Sequence, residues 1–287
     1  VDPDGSGSDI ESGCILERPK VIYNTKTDKY VMWFHLELKG QAYIAARYGV
    51  AIADNPVGPF KFLCSGRVNP GKWALDINDW QKEQDWSNPV FWEVDTDLYI
   101  ESIRQGMLFK RDFYGGQMAR DQTVFVDDDG KAYHIYASEE NYTLQIAELT
   151  DDYTAHTGKY SRAFAGRSME APAIFKKDGK YYLMMSGCSG WAPNAARTAV
   201  ADNIFGPWKE LGNPCSGEGA ELTYRSQSTY IIKLQETKDI KLGGRELYIY
   251  VGDRWNPDDL IDSRYIWLPI RFEGNRFLVD WTGEWKY

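Results

Sequence analysis

The sequence predicts an all-β fold, a β-propeller. Three observations carry the prediction: a hairpin pattern that recurs four times, a second pattern that fits the outer half of the same units, and a near absence of helical periodicity. The first hairpin reads Pro19-Lys20-Val21-Ile22-Tyr23, then Asp28-Lys29-Tyr30-Val31-Met32-Trp33. It returns as Gln122-Thr123-Val124-Phe125 with Gly130-Lys131-Ala132-Tyr133, and as Pro172-Ala173-Ile174-Phe175 with Gly179-Lys180-Tyr181-Tyr182. The fourth copy is Ser228-Thr229-Tyr230-Ile231 with Glu246-Leu247-Tyr248-Ile249. Two apolar runs around an Asp-Gly-type turn make a hairpin, because the turn needs positive φ. A hairpin recurring about every 50 residues marks a fold whose sheets bury their faces only against neighbouring sheets.

The outer half is marked by Val50-Ala51-Ile52-Ala53-Asp54-Asn55 followed by Gly58-Pro59-Phe60-Lys61. Thr198-Ala199-Val200-Ala201-Asp202-Asn203 followed by Gly206-Pro207-Trp208-Lys209 repeats it at the same internal spacing. A strand, a Gly-Pro turn and an aromatic edge strand suit the outer half of a four-stranded blade. The blade-like segments are then 17–64, 120–165, 170–215 and 224–287. Residues 1–16 form a Gly/Ser/Asp-rich N-terminal segment, and 17–287 are read as the propeller. Four-blade closure is tight, so the terminal run Phe277–Trp281 is expected to complete a blade with an upstream partner. Residues 65–118, rich in Trp and charge, break the period and are read as a loop insertion over part of the site face. Within it only Trp80–Gln84 reads as a helical turn.

Composition narrows the function. The 287 residues carry a net charge of −9 and scattered basic residues, which excludes the basic stripe nucleic acid requires. No apolar run approaches the roughly 20 residues that span a bilayer. Cys14, Cys64, Cys188 and Cys215 have no zinc-type spacing and are read as free thiols or one disulfide. The start at Val1 in a polar stretch is read as that of a processed or truncated product, so the lack of a leader says nothing about compartment. Aromatic residues make up 15%, with 11 Trp. Most belong to packing; one or two are expected to stack on something flat, such as a sugar ring.

Four polar residues stand immediately before an inner hairpin strand: Glu17, Asp121, Glu170 and Gln227. They share one register of the repeat, so they are expected to converge, and burying carboxylates there is costly unless they are paired or used. Converging carboxylates bind a hard cation or divide acid and base roles by separating their pKa values. Around a glycosidic bond, the inverting arrangement leaves a gap of about 6.5–9.5 Å for water. Trp191, in Ser189-Gly190-Trp191-Ala192-Pro193-Asn194, is read as a stacking or a packing residue. Arg254, in Gly252-Asp253-Arg254-Trp255, is read as an ion-pair partner of Asp253 or as a contact to a carboxylate or sugar hydroxyl. His134 reads as a core histidine.

Those segments, with Glu17-Arg18-Pro19-Lys20-Val21-Ile22-Tyr23-Asn24, Tyr30-Val31-Met32-Trp33-Phe34-His35, Arg120-Asp121, Glu170-Ala171-Pro172 and Ser226-Gln227, carry a resemblance. From Glu17 to Trp285, outside much of the insertion, the chain resembles glycoside hydrolase family 43, specifically its galactan β-1,3-galactosidase branch. The resemblance implies a five-bladed propeller whose first blade is missing or incomplete here. It implies an inverting exo-glycosidase that removes β-1,3-linked galactose from galactan or arabinogalactan-type polysaccharide. An arabinofuranosidase, a galactofuranosidase and a non-catalytic sugar-binding propeller are the alternatives. Glu170 matches the general acid, and Asp121 the carboxylate that tunes and orients it. Gln227 matches a water-positioning residue, and Glu17 a substrate contact or candidate base. Tyr48, Asn141, Trp191 and Arg254 match sugar-contacting positions. No metal is required, though a calcium on the axis is compatible with propellers of this type. The expected partner is polysaccharide, the expected state a monomer, and the expected location secreted, periplasmic or cell-surface.

Overall fold

Asp178 and Gly179 both take positive φ, 49° and 75°, and form the two-residue turn of one predicted hairpin. The strands it joins are β9 (Met169–Lys177) and β10 (Lys180–Gly187). The computed structural model describes residues 7–286, so part of the N-terminal segment lies outside the described residues. The chain divides into two compact units, Val1–Met169 and Glu170–Tyr287.

The first unit holds two antiparallel four-stranded meanders. One is β1 (Ile15–Asn24), β2 (Lys29–Glu37), β3 (Arg47–Ala53) and β4 (Lys61–Gly66). The other is β5 (Gln122–Val126), β6 (Ala132–Ser138), β7 (Thr143–Leu149) and β8 (His156–Ala163). Side chains alternate between the two faces of each strand. Trp33, Val31 and Val50 of the first sheet therefore pack on Val124 and Leu149 of the second and on Tyr153 in its β7–β8 turn. His134 is fully buried, with Nδ1 at 3.1 Å from Nε2 of His156 and its ring against Trp33, as a core histidine.

The second unit holds β9, β10, β11 (Arg197–Ala201) and β12 (Lys209–Gly212) in one sheet. Its other sheet has five strands: β13 (Cys215–Ser216), β14 (Gln227–Leu234), β15 (Leu247–Arg254), β16 (Arg264–Glu273) and β17 (Arg276–Asp280). The terminal strand takes its upstream partner here: β13 pairs parallel with β17, Cys215 opposite Val279. Phe175, Tyr182, Tyr248, Tyr250, Phe277 and Leu268 fill the core of this unit.

The protein is thus an all-β propeller chain with four blades among the described residues, where the resemblance implies five. Among the described residues no disulfide joins its four cysteines. The insertion is not a plain loop. It folds as α1 (Asp79–Glu83), α2 (Asp97–Arg104) and α3 (Met107–Arg111). Asn78 and Gln81 form a capping box on α1, and Thr96 Oγ1 accepts from Tyr99 N–H at the start of α2. Tyr99 and Ile103 of α2 bury against Met107 and Leu108 of α3.

Candidate active site

In the first unit the site grows from a bulge in β1. The register slips between Glu17 and Lys20, and Arg18 takes φ +52°. A bulge re-aims side chains, and Arg18 pairs with Asp121 at 3.1 Å, both side chains largely buried. Gln122, one residue on, donates to the carbonyls of Arg18 at 2.6 Å and Trp33 at 3.0 Å, which ties the Asp121 segment to β1 and β2.

Glu17 stands directly opposite His35 on β2. His35 Nδ1 lies 3.1 Å from Glu17 Oε2, and its Nε2 lies 2.8 Å from Glu37 Oε1. The second Glu37 oxygen accepts the Ala46 N–H at 2.8 Å, and Glu37 is fully buried. Tyr43 Oη donates to Glu17 Oε1 at 2.8 Å. Burial alone would pull His35 down, but the hydrogen bonds to Glu17 and Glu37 outweigh it and raise His35 to about 8. Burial pushes Glu17 up, but His35 and Tyr43 hold it below the usual carboxylate range. At neutral pH His35 is therefore held toward the imidazolium, beside an ionised Glu17.

Glu17, His35 and Asp121 bring ligand-type atoms within 4.8 Å of one another. That set does not fit calcium, which takes 6–8 oxygen ligands. Both imidazole nitrogens are engaged by carboxylates, and Asp121 is held by Arg18.

In the second unit Gln227 opens β14 opposite Asp253. Its amide is fixed at both ends: Nε2 donates to Ser186 Oγ at 2.9 Å, and Oε1 accepts the Trp255 indole N–H at 3.0 Å. Thr223, Tyr224 and Arg225 all take positive φ before it, and Ser226 Oγ returns to the Thr223 carbonyl at 2.6 Å. Gly252 is required on the neighbouring strand, because a Cβ there would lie 2.4 Å from Tyr250 Oη. Glu170 is the second residue of β9, half-buried. Ser228 Oγ donates to the carbonyl of the adjoining Ala171 at 2.6 Å, which fastens the Gln227 strand to the Glu170 strand.

Gln227 lines a pocket of about 100 Å³ with Ser186, Trp191, Asn194, Asp253 and Trp255. That is room for a few waters at about 30 Å³ each. Trp191 and Trp255 meet edge to face, centroids 5.6 Å apart. Asn194 holds the loop carrying Trp191: its amide accepts from Gly187 N–H at 2.8 Å and donates to Gly187 O at 2.9 Å.

Two expectations change. Tyr48 shares a sheet face with His35, but its ring contacts are Trp33 at 5.2 Å and His156 at 4.8 Å, so it packs in the core. Arg254 follows Asp253 on β15 and projects to the opposite face. Its Nη2 donates to the Tyr224 carbonyl at 2.9 Å, and its guanidinium covers the Trp281 ring at 5.2 Å, while Asp253 takes the pocket position. Asn141, φ +67°, ends a left-handed turn with Glu139 and Glu140 between β6 and β7. Of the four register-matched residues, the first unit brings Glu17 and Asp121 together through His35, and the second ties the strands of Glu170 and Gln227. Sequence reasoning missed His35, Glu37, Tyr43 and Ser186. His35 and Glu37, two residues apart in the otherwise apolar run Val31–Glu37 of β2, were the available signal.

A family model for glycosyl hydrolases family 43 matches residues 102–230. A solved GH43 β-1,3-galactosidase, BT3683, crystallised with galactodeoxynojirimycin, is 52% identical, with 99% of this chain and 80% of that one covered and a TM-score of 0.94. The chain belongs to glycosyl hydrolase family 43. This family 43 chain is also 34% identical to 1,3Gal43A, an exo-β-1,3-galactanase from Clostridium thermocellum, over 93% of its own length and 49% of that chain, TM-score 0.71. Among curated proteins it is 28% identical over 131 residues to the β-D-galactofuranosidase xynD of Aspergillus niger, covering 42% of this chain. The chain spans 37% of that curated relative and about half of the Clostridium galactanase.

Proposed function

We propose that this family 43 chain is an inverting exo-acting β-1,3-galactosidase that removes galactose from galactan or arabinogalactan-type polysaccharide. The observation that carries the reading is the fixed Gln227 amide in a tryptophan-walled pocket, on a chain 52% identical to a β-1,3-galactosidase over 99% of its length. Glu170 is the general acid that protonates the leaving oxygen. Asp121, held by Arg18, is the carboxylate that tunes and orients it. Gln227 positions the attacking water. An amide is too weak a base to take the proton itself, and its locked orientation supports a geometric role. Glu17, kept ionised by His35 and Tyr43, suits acceptance of a sugar hydroxyl better than general-base work, because a lowered pKa makes a weak base. Trp191 offers the stacking face.

A five-bladed working propeller belongs to the same proposal. Tyr265 and Trp267 stand 65% and 52% exposed on one face of β16, apolar surface that a further sheet would cover. A polymeric glycan substrate favours a secreted, periplasmic or cell-surface location, and the proposal takes the protein as a monomer.

The test is hydrolysis of β-1,3-galactan beside aryl β-D-galactopyranoside, aryl α-L-arabinofuranoside and aryl β-D-galactofuranoside. The reading expects galactose from the first two and overturns if a furanoside is cleaved preferentially. Sugar binding without turnover on any of them would instead make the chain a binding propeller.

A further inference from the structure

The insertion carries a second aromatic cleft. It is a shallow cleft of about 420 Å³, largely open to solvent, and its volume lies within the range of about 300–1,000 Å³ typical of small-molecule sites. Trp86 and Trp92 wall it, with Met107 at its base. Trp86 is anchored edge-on to Phe91 at 5.3 Å, and Trp92 donates its indole N–H to the Trp86 carbonyl at 2.7 Å. Trp92 nevertheless stays 37% exposed, so its ring is held in place while part of it remains open.

The polar lining is balanced. Glu83 and Asp85 face Lys110 and Arg111, two charges of each sign. Lys110 donates to the carbonyls of Lys82 and Gln84, and Arg111 pairs with Asp112 at 2.7 Å and Glu140 at 3.0 Å. A fixed indole in a lining of no net charge, whose cations already have hydrogen-bond partners, favours a neutral polyol over an ionic partner. The CH face of a pyranose covers the ring, and its hydroxyls meet the carboxylates and cations.

A chain of polar contacts also links the cleft to the carboxylate cluster of the first unit. Glu140 joins Arg111 to Arg120 at 2.7 Å, Arg120 donates to the Tyr43 carbonyl at 2.9 Å, and Tyr43 Oη reaches Glu17 at 2.8 Å. We propose that this cleft is a remote subsite that binds a pyranosyl unit of the polysaccharide substrate away from the scissile bond, with Trp92 as its stacking residue. The proposal rests on the hydrolase reading for its substrate and deepens it.

The test uses the full chain with Trp92→Ala, Trp92→Phe and Glu83→Arg, the last placing a long side chain in the cleft lining without entering the core. Retardation in gels containing β-1,3-galactan is measured beside hydrolysis of 4-nitrophenyl β-D-galactopyranoside and thermal melting. Trp92→Ala is expected to weaken retardation roughly 5- to 10-fold and to raise KM on the polymer alike, with the aryl galactoside unaffected. Trp92→Phe keeps a flat face and most of the affinity. Glu83→Arg gives the same polymer-selective loss and stands in if Trp92→Ala misfolds. Unchanged retardation in both Trp92→Ala and Glu83→Arg overturns the subsite, as does an equal loss on polymer and aryl galactoside. If wild type binds galactan through Trp92 but releases no galactose, the subsite stands and the hydrolase reading fails. If wild type and Trp92→Ala bind and degrade the polymer equally, the reverse holds.

Discussion

Trp255 holds Gln227 Oε1 through its indole N–H at 3.0 Å, so the side-chain amide presents one orientation to the pocket. Ser186 receives the opposite end of that amide and prevents a flip. A residue that places water contributes by geometry, and misplacement by about 1 Å costs roughly 10²-fold. Gln227→Ala is accordingly expected to lower kcat about 10²-fold. Trp255→Phe, which keeps a ring but deletes the donor, should lower kcat about ten-fold with little change in KM, in line with roughly 1 kcal/mol per hydrogen bond. A rise in KM at constant kcat would assign Trp255 to sugar binding instead.

Glu170→Gln removes the proton donor of the proposed mechanism and keeps the shape of the side chain. Galactose release should fall by about 10³-fold or more, within the range for a lost general acid, while calorimetric binding of β-1,3-galactobiose persists. Loss of both together would make Glu170 a binding or folding residue.

Asp121→Asn tests the tuning role by its sign. A nearby negative charge raises the pKa of the acid, and the alkaline limb of kcat/KM follows that pKa. Neutralising Asp121 should therefore move the alkaline limb to lower pH as well as reduce the rate. A limb that stays in place separates Asp121 from the acid.

His35 should make stability depend on pH. Its folded pKa, about 8, lies above the ordinary 6.5, so its contribution is complete below about pH 6.5 and is lost as pH rises through 8. For this buried group the loss amounts to about 2 kcal/mol. Glu17 acts in the opposite sense: its pKa is lowered, so its stabilisation is present above the ordinary carboxylate value and disappears in acid. Melting temperature against pH should fall between pH 6.5 and 8.5 in the wild type and flatten there in His35→Gln. An unchanged slope would show that another group titrates.

The parts of this fold set by local rules were legible. Hairpins announce themselves by period-two alternation around a turn that needs positive φ, as at Asp178-Gly179, and all four form an edge strand and its neighbour in their sheets. Helix α2 escaped because it is short and its buried set is only Tyr99, Ser102 and Ile103; tertiary packing on α3 makes it, with Thr96 as the one local sign. The pairing of Cys215 with Val279 spans much of the second unit, and no local pattern encodes it. At the site, Glu17 and Asp121 were found by their common register. His35 and Glu37 were not, since ionisable residues in an apolar strand mark a polar site without naming the partners that meet them in space. Arg254 was read as a partner of Asp253 or as a contact to a carboxylate or sugar hydroxyl; the alternation of β15 gives the pocket position to Asp253 and turns Arg254 to the Tyr224 carbonyl and Trp281.

Time-resolved proton NMR of β-1,3-galactan digestion tests the central claim most directly. The account predicts that the first signal to grow is α-galactopyranose, inverted from the β-linked chain, released as monosaccharide and absent with Glu170→Gln. Initial release of the β anomer, or of no galactose at all, would contradict it.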